Sequence, residues 1–283
     1  MESLTIDVSA WLQKARQKLI AVDTPGLEAQ LLLGSVLDQS RTAVLTHPER
    51  QLTSEQIYQL EELLNRRLRG EPLPYLLGHW EFYGLDLLVN PAVLIPRPET
   101  ELLVEQALNW LKEHPNQGRV VDVGVGSGAI SLALASHIPN LTILAADLLR
   151  PALRVAQQNC SRHGLTHRIS LLQSDLLTAA RGPFDLVCAN LPYIPTATLQ
   201  GLQVARHEPV TALDGGVDGL RLIKRLLTDS PRWMAASGCL LLEIEAGEGE
   251  SSLNLARSLL PTAVSRVLND HADLPRLLRI DIV

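Results

Sequence analysis

The sequence predicts an α/β protein: a mostly parallel, doubly wound sheet with an antiparallel edge, preceded by a small helical domain and a linking β-hairpin. Three observations carry this. Beyond Gln117, short apolar runs alternate with amphipathic helical stretches. A glycine-rich turn at residues 124–128 sits where the first of those runs passes into a helix. The residues ahead of the alternating region carry helix periodicity and caps instead of strand patterns. At 283 residues the chain exceeds the roughly 100–200 residues usual for one domain. The expected division is a helical domain at 1–72, a linker with a hairpin at 73–98, and a ligand-binding domain at 99–283.

Thr24 can cap a helix with Pro25 in its first turn, where a missing N–H costs nothing, and Leu27, Ala29, Leu31, Leu32, Leu33, Val36 and Leu37 give it a broad apolar face. Thr53-Ser54-Glu55-Gln56 reads as a capping box, opening a helix with Ile57, Leu60, Leu64 and Leu68 on one side and a stop at Gly70. Its Arg66, Arg67 and Arg69 suit an acidic partner or, more simply, a solvated helix end favoured by the helix dipole. Pro72 and Pro74 break the helix, and residues 79–82 and 85–89 read as strands turning at Tyr83-Gly84. Two prolines stiffen Ile95-Pro96-Arg97-Pro98-Glu99-Thr100-Glu101 before a helix through Leu102, Leu103, Val104, Ala107, Leu108 and Leu111. Residues 120–123, 142–146, 169–173, 186–189 and 240–244 follow as strands. Helices at 129–136, 151–163 and 220–227 make the right-handed crossovers. Residues 263–268 and 277–283 add an antiparallel pair at the edge.

A formal net charge of −6 and a pI near 5.8 argue against a nucleic-acid backbone as the main partner, which usually requires a basic face. Cys160, Cys188 and Cys239 are scattered and odd in number, so they read as reduced, buried thiols. The eight histidines form no ligand spacing, and no metal is expected. Met1-Glu2-Ser3-Leu4 carries an acid in place of a basic leader, and no apolar run approaches the ~18 residues that span a bilayer. The expected setting is the cytoplasm.

In Asp122-Val123-Gly124-Val125-Gly126-Ser127-Gly128 the glycines admit a ligand to bare backbone. Asp147 ends the next strand, where a carboxylate can accept both hydroxyls of an adenosine ribose. Gly124, Gly126 and Ala129 also satisfy the dinucleotide pattern G-x-G-x-x-A. Asp122 weighs toward S-adenosyl-L-methionine, because an acid there can help to hold the amino-acid end of a cationic cofactor and would sit poorly beside a pyrophosphate. Asp175, at the end of the third strand, is either an acceptor for the adenine amino group or a helix cap.

Asn190-Leu191-Pro192-Tyr193 follows the fourth strand on the same carboxyl edge. An amide nitrogen is a weak nucleophile, so transfer to it depends on positioning and on acceptors aimed at the NH2 group. Asn190 Oδ1 and the Leu191 carbonyl are candidate acceptors, Pro192 stiffens the turn, and Tyr193 offers a flat surface to a planar substrate group.

These motifs resemble the amino-group methyltransferases with the Rossmann-like class I fold. Pro74-Tyr75-Leu76-Leu77-Gly78, Glu81-Phe82-Tyr83-Gly84-Leu85, the segment from Val93 to Glu101, His207-Glu208-Pro209, the segment from Ala212 to Leu220, and Leu241-Leu242-Glu243-Ile244 are similar to the release factor glutamine methyltransferase family, also called PrmC or HemK. The resemblance covers nearly the whole chain. It implies methyl transfer from S-adenosyl-L-methionine to the side-chain N5 of the glutamine in the Gly-Gly-Gln loop of class 1 peptide-chain release factors, leaving S-adenosyl-L-homocysteine. By that resemblance Gly124, Val125, Gly126, Ser127, Gly128, Asp147 and Asn190 hold cofactor, and Asn190 to Tyr193 hold the glutamine; Asp175 and Leu176 are expected to border the cofactor as well. It also implies that the N-terminal domain docks the protein substrate. Leu191 stands where proline is commoner, and Leu176 where many members have an aromatic. Arg97, Glu99, Glu208 and Asp214 read as pocket-lining or architectural. Three rivals share part of the pattern. A nucleic-acid (adenine N6-type) methyltransferase wants a basic groove; an NAD-linked oxidoreductase leaves the tetrad unexplained; a binding-only protein has no use for Asp122, Asp147 and Asn190 together.

Overall fold

The computed structural model describes residues 6–283; the leader reading of Met1 to Leu4 lies outside the described residues. The chain divides at His79 into two compact units.

The first unit is helical. A two-stranded ribbon, β1 (Ile6–Asp7) with β2 (Gln51–Leu52), accompanies α1 (Val8–Lys18), α2 (Pro25–Leu37), α3 (Arg41–Thr46), α4 (Ser54–Leu68) and α5 (Leu73–Leu77). The Thr53–Gln56 capping box is formed in both directions, satisfying two backbone donors that the first turn would leave unpaired. Thr24 precedes α2 but makes no side-chain cap, and Pro25 alone opens that helix. Pro74 does not end a helix, as expected; it lies in the first turn of α5, where its fixed φ and absent N–H are tolerated. Trp11, Leu32, Leu33, Leu60 and Leu64 form the unit's interior. Arg66 and Arg67 are paired within the unit, to Glu71 and to Glu28.

The second unit carries the sheet. Its elements are β3 (His79–Phe82), β4 (Leu85–Leu88), α6 (Thr100–Glu113), β5 (Val120–Val123), α7 (Ala129–His137), β6 (Ile143–Asp147), α8 (Arg150–Arg162), β7 (Ile169–Gln173) and β8 (Phe184–Ala189). There follow β9 (Ile194–Pro195), α9 (Thr196–Leu199), β10 (Asp214–Gly216), α10 (Arg221–Asp229), β11 (Met234–Glu243), α11 (Gly249–Leu259), β12 (Val264–Asn269) and β13 (Pro275–Asp281). The seven-stranded sheet runs β12-β13-β11-β8-β5-β6-β7, with β13 antiparallel to both of its neighbours. β5 and β8 are buried along their whole length, because helices cover both faces of the parallel part; this is why they read as near-continuous apolar runs, each interrupted by one acid, Asp122 or Asp185, and not as alternating patterns. The expected class I methyltransferase architecture is present, with the predicted hairpin as β3–β4. None of the described helices is long and apolar enough to cross a membrane.

The chain order reverses between β5 and β8: β6 and β7 are added on one side of β5, β8 on the other. In this register Val123 is opposite Ala189, so the turns that follow, at Gly124 and Asn190, leave the sheet side by side.

Candidate active site

A cleft, partly open to solvent, lies over the carboxyl ends of β5, β6, β7 and β8. Of the residues singled out in the sequence, Gly124, Val125, Gly126, Ser127, Asp147, Asp175, Leu176, Asn190, Leu191 and Pro192 line it; Asp122, Gly128 and Tyr193 do not.

The glycine turn is held close against the tetrad. A Cβ on Gly124 would stand 3.3 Å from Leu191 Cδ2 and 3.5 Å from the Asn190 carbonyl oxygen, on a backbone with φ +82°. Gly128 has φ +90° and would set a Cβ 3.1 Å from Leu132 Cδ1, so it serves close packing beneath the turn and not the cavity surface. Asp147 accepts from Gly126 N at 3.0 Å through Oδ2 and from Leu149 N at 2.9 Å through Oδ1. Each oxygen keeps a second lone pair, so the carboxylate can still take ligand hydroxyls. Burial raises its pKa, against the pull of these backbone N–H groups.

Asp122 is fully buried at the end of β5. Its Oδ2 accepts from Ser131 N at 3.1 Å and Ser131 Oγ at 2.6 Å, while Oδ1 has no hydrogen-bond partner. It therefore braces the start of α7 under the glycine turn and does not reach the cavity. Burial pushes its carboxyl up to about 6. Asp175 lines the cavity and pairs with Arg225 at 2.7 Å. Leu176 follows at φ +51°, a left-handed backbone that costs a branched side chain roughly 1 kcal/mol.

Asn190 Nδ2 donates to Thr100 Oγ1 at 3.0 Å, which leaves Oδ1 as the amide's acceptor on the cavity side. Tyr193 turns away from the cavity lining and donates its phenol to Glu243 Oε1 at 3.2 Å. Burial and the adjacent Glu243 charge keep that phenol protonated far above its ordinary range. Arg97 lines the cavity and is paired with Glu208, a buried carboxylate that also accepts from Ile95 N at 3.1 Å. Asp214 accepts from Thr196 Oγ1 at 2.6 Å and Gly216 N at 3.0 Å, holding the β9–β10 ribbon.

Several organising residues were not singled out individually in the sequence. Asn159, fully buried on α8, donates to Ser127 O at 2.8 Å and exchanges hydrogen bonds with the backbone of Leu88, tying the hairpin to the glycine turn. Ser131 and Thr100 likewise act through partners distant in sequence. Thr100 and Glu243 fall inside segments noted for their family resemblance, which was the available signal.

The chain matches the family descriptions "PrmC N-terminal domain" over residues 10–78 and "Methyltransferase small domain" over residues 98–206. It is 42% identical over 265 residues to the release factor glutamine methyltransferase of Moorella thermoacetica, covering 92% of this chain and 93% of that one. It is 43% identical over 244 residues to that of Escherichia coli K12, covering 85% and 87%. Among solved structures it is similar to the hMettl16 catalytic domain in complex with MAT2A 3'UTR hairpin 6 (TM-score 0.55, 16% identity, 83% of this chain and 85% of that one). It is also similar to a methyltransferase from Pyrococcus furiosus (TM-score 0.51, 15% identity, 79% and 97%). These structural likenesses establish the fold, and the curated relatives the lineage: the chain belongs to the release factor glutamine methyltransferase family.

Proposed function

We propose that this chain transfers a methyl group from S-adenosyl-L-methionine to the side-chain N5 of the glutamine in the Gly-Gly-Gln loop of class 1 peptide-chain release factors. The observation that carries the reading is the placement of Asn190, with its NH2 engaged by Thr100 and its carbonyl oxygen free, directly beside a glycine turn on which a Cβ would crowd Leu191.

When bound, the cofactor supplies an electrophilic sulfonium methyl. Residues 124–127, which line the cavity, would give it bare backbone, Asp147 would accept its ribose hydroxyls, and Asp175 and Leu176 would border its adenine end. Asn190 Oδ1 and the Leu191 carbonyl would accept the two N–H bonds of the glutamine amide, which orients the nitrogen by position before transfer; one of those two protons is then lost to water as the N-methyl amide forms. Pro192 keeps the turn rigid, and Tyr193 anchors its far end through Glu243.

Residues 1–72 are assigned to docking the release factor, 73–98 to the linker and 99–283 to transfer. With a net charge of −6, no direct nucleic-acid contact is expected. The cysteines, all buried and free, fit a cytoplasmic setting. Incubation with labelled S-adenosyl-L-methionine and, separately, a release factor and duplex DNA, followed by mass-spectrometric mapping, tests this. The label is expected on the glutamine of the Gly-Gly-Gln loop; label on DNA alone would overturn the assignment.

A further inference from the structure

We propose that Asn159 is a positioning residue for the cofactor: its buried amide on α8 ties together two stretches of the cleft lining and so sets the affinity for S-adenosyl-L-methionine without entering the transfer step. This rests on the cofactor reading of the cleft above and adds to it a residue that touches neither cofactor nor substrate.

Asn159 lies in the last turn of α8, fully buried and absent from the cleft lining. Its Nδ2 donates to Ser127 O at 2.8 Å and to Leu88 O at 2.9 Å, and its Oδ1 accepts from Leu88 N at 2.7 Å. Both amide protons are therefore used, on partners 32 and 71 residues away in the chain. Toward Leu88 the side chain presents the donor and the acceptor that a further strand would present.

Each partner leads directly into the cleft. Ser127 is itself part of the lining, at the end of the stretch 124–127. Leu88 ends β4, and the chain that leaves it lines the cleft at residues 92–94, 96 and 97. The far end of that second stretch is held separately, by Glu208, which accepts from Ile95 N at 3.1 Å and pairs with Arg97. Its near end is held by Asn159. Packing sets how closely α8 approaches the glycine turn, since a Cβ on Gly128 would stand 3.6 Å from the Cβ of Ala156 on α8. The Asn159 amide sets the direction of the Ser127 carbonyl and the distance from it to β4.

A ligand that spans both stretches needs them in one fixed relation before it arrives. If either is free to shift, the ligand must order it on binding, and affinity falls by that cost. At saturation the bound ligand holds both stretches itself, so the cost falls on binding and not on the step that follows. Aspartate has the shape of asparagine and keeps the acceptor for Leu88 N, but it has no N–H and would set a carboxylate against two carbonyl oxygens.

The test titrates the full-length enzyme with S-adenosyl-L-homocysteine by calorimetry and follows release-factor methylation with labelled S-adenosyl-L-methionine. Wild type is compared with Asn159→Asp, Asn159→Ala and, as a packing control, Leu165→Ala, in the core just beyond α8. Both Asn159 variants should raise the Kd and the KM for the cofactor at least about tenfold while kcat stays within about threefold. Leu165→Ala should lower the melting temperature and leave Kd within about twofold of wild type. An unchanged Kd in the Asn159 variants, a loss confined to kcat, or equal weakening by Leu165→Ala would overturn the proposal. Should both Asn159 variants fail to fold, hydrogen exchange on the wild type decides. S-adenosyl-L-homocysteine should slow the Leu88 amide, which lies outside the lining, at least about fivefold more than the amides of β11, and equal slowing would reject the coupling. Wild type that binds no S-adenosyl-L-homocysteine would reject the cofactor reading of the cleft; wild-type binding unmoved by Asn159→Asp would reject the role of Asn159 alone.

Discussion

Asn190 and Thr100 stand 90 residues apart in the chain, yet a 3.0 Å hydrogen bond from Asn190 Nδ2 to Thr100 Oγ1 joins the turn after β8 to the first residue of α6. That bond decides which face of the amide the cavity meets. Replacing Asn190 by alanine removes the acceptor without opening the core, since the side chain is only partly buried. We expect a fall in kcat of roughly 10²–10³-fold, the range for losing one fixed polar group at a transition state, with the melting temperature little changed. Single-turnover methylation beside a thermal melt checks it; wild-type turnover would refute the role.

The buried Asp122 makes stability depend on pH in an unusual direction. Burial raises its carboxyl from 3.8 to about 6, opposed by the two Ser131 hydrogen bonds and aided by the charge of Asp147. Between those values the folded protein keeps a proton that the unfolded chain has released, so this group's contribution to stability falls as pH rises across the window. Asp122→Asn can still accept from Ser131 but cannot titrate. Urea unfolding from pH about 4 to about 7 should show wild type losing stability relative to the variant as pH rises; parallel curves would contradict it.

Arg97 and Glu208 hold the proline-stiffened lead-in against the cavity. Arg97→Ala leaves a buried carboxylate with only Ile95 N as a partner. Breaking a buried pair costs about 3–5 kcal/mol, and because the Arg97 side chain is 33% exposed the expected loss is nearer 2 kcal/mol. KM for the cofactor should rise as well, since Arg97 lines the cavity. Denaturant midpoints and cofactor titration measure the two effects. A stability loss restored by Arg97→Ala/Glu208→Leu, with cofactor affinity still weakened, would separate packing from binding.

The strands, the crossover helices and the two turns that frame the cavity were legible in the sequence because their causes are local. Short, mostly apolar runs mark strands buried on both faces, the Thr53–Gln56 box marks a helix start, and a glycine turn after a strand marks a ligand edge. Pro74 was misread because its meaning depends on whether it falls inside a helix or at its start, which pattern alone does not decide.

What only the tertiary structure decided is how each polar side chain uses its atoms. Asp122 sits at the right place in the motif, but it points at Ser131; Tyr193 belongs to the tetrad, but its phenol goes to Glu243; Asn190 is oriented by Thr100. These pairings join segments 9 to 90 residues apart. A buried polar group must find its partner among whatever the fold brings within about 3 Å. Residue type and spacing determined which chemistry was available at the sheet edge, and packing determined which oxygen is left to perform it.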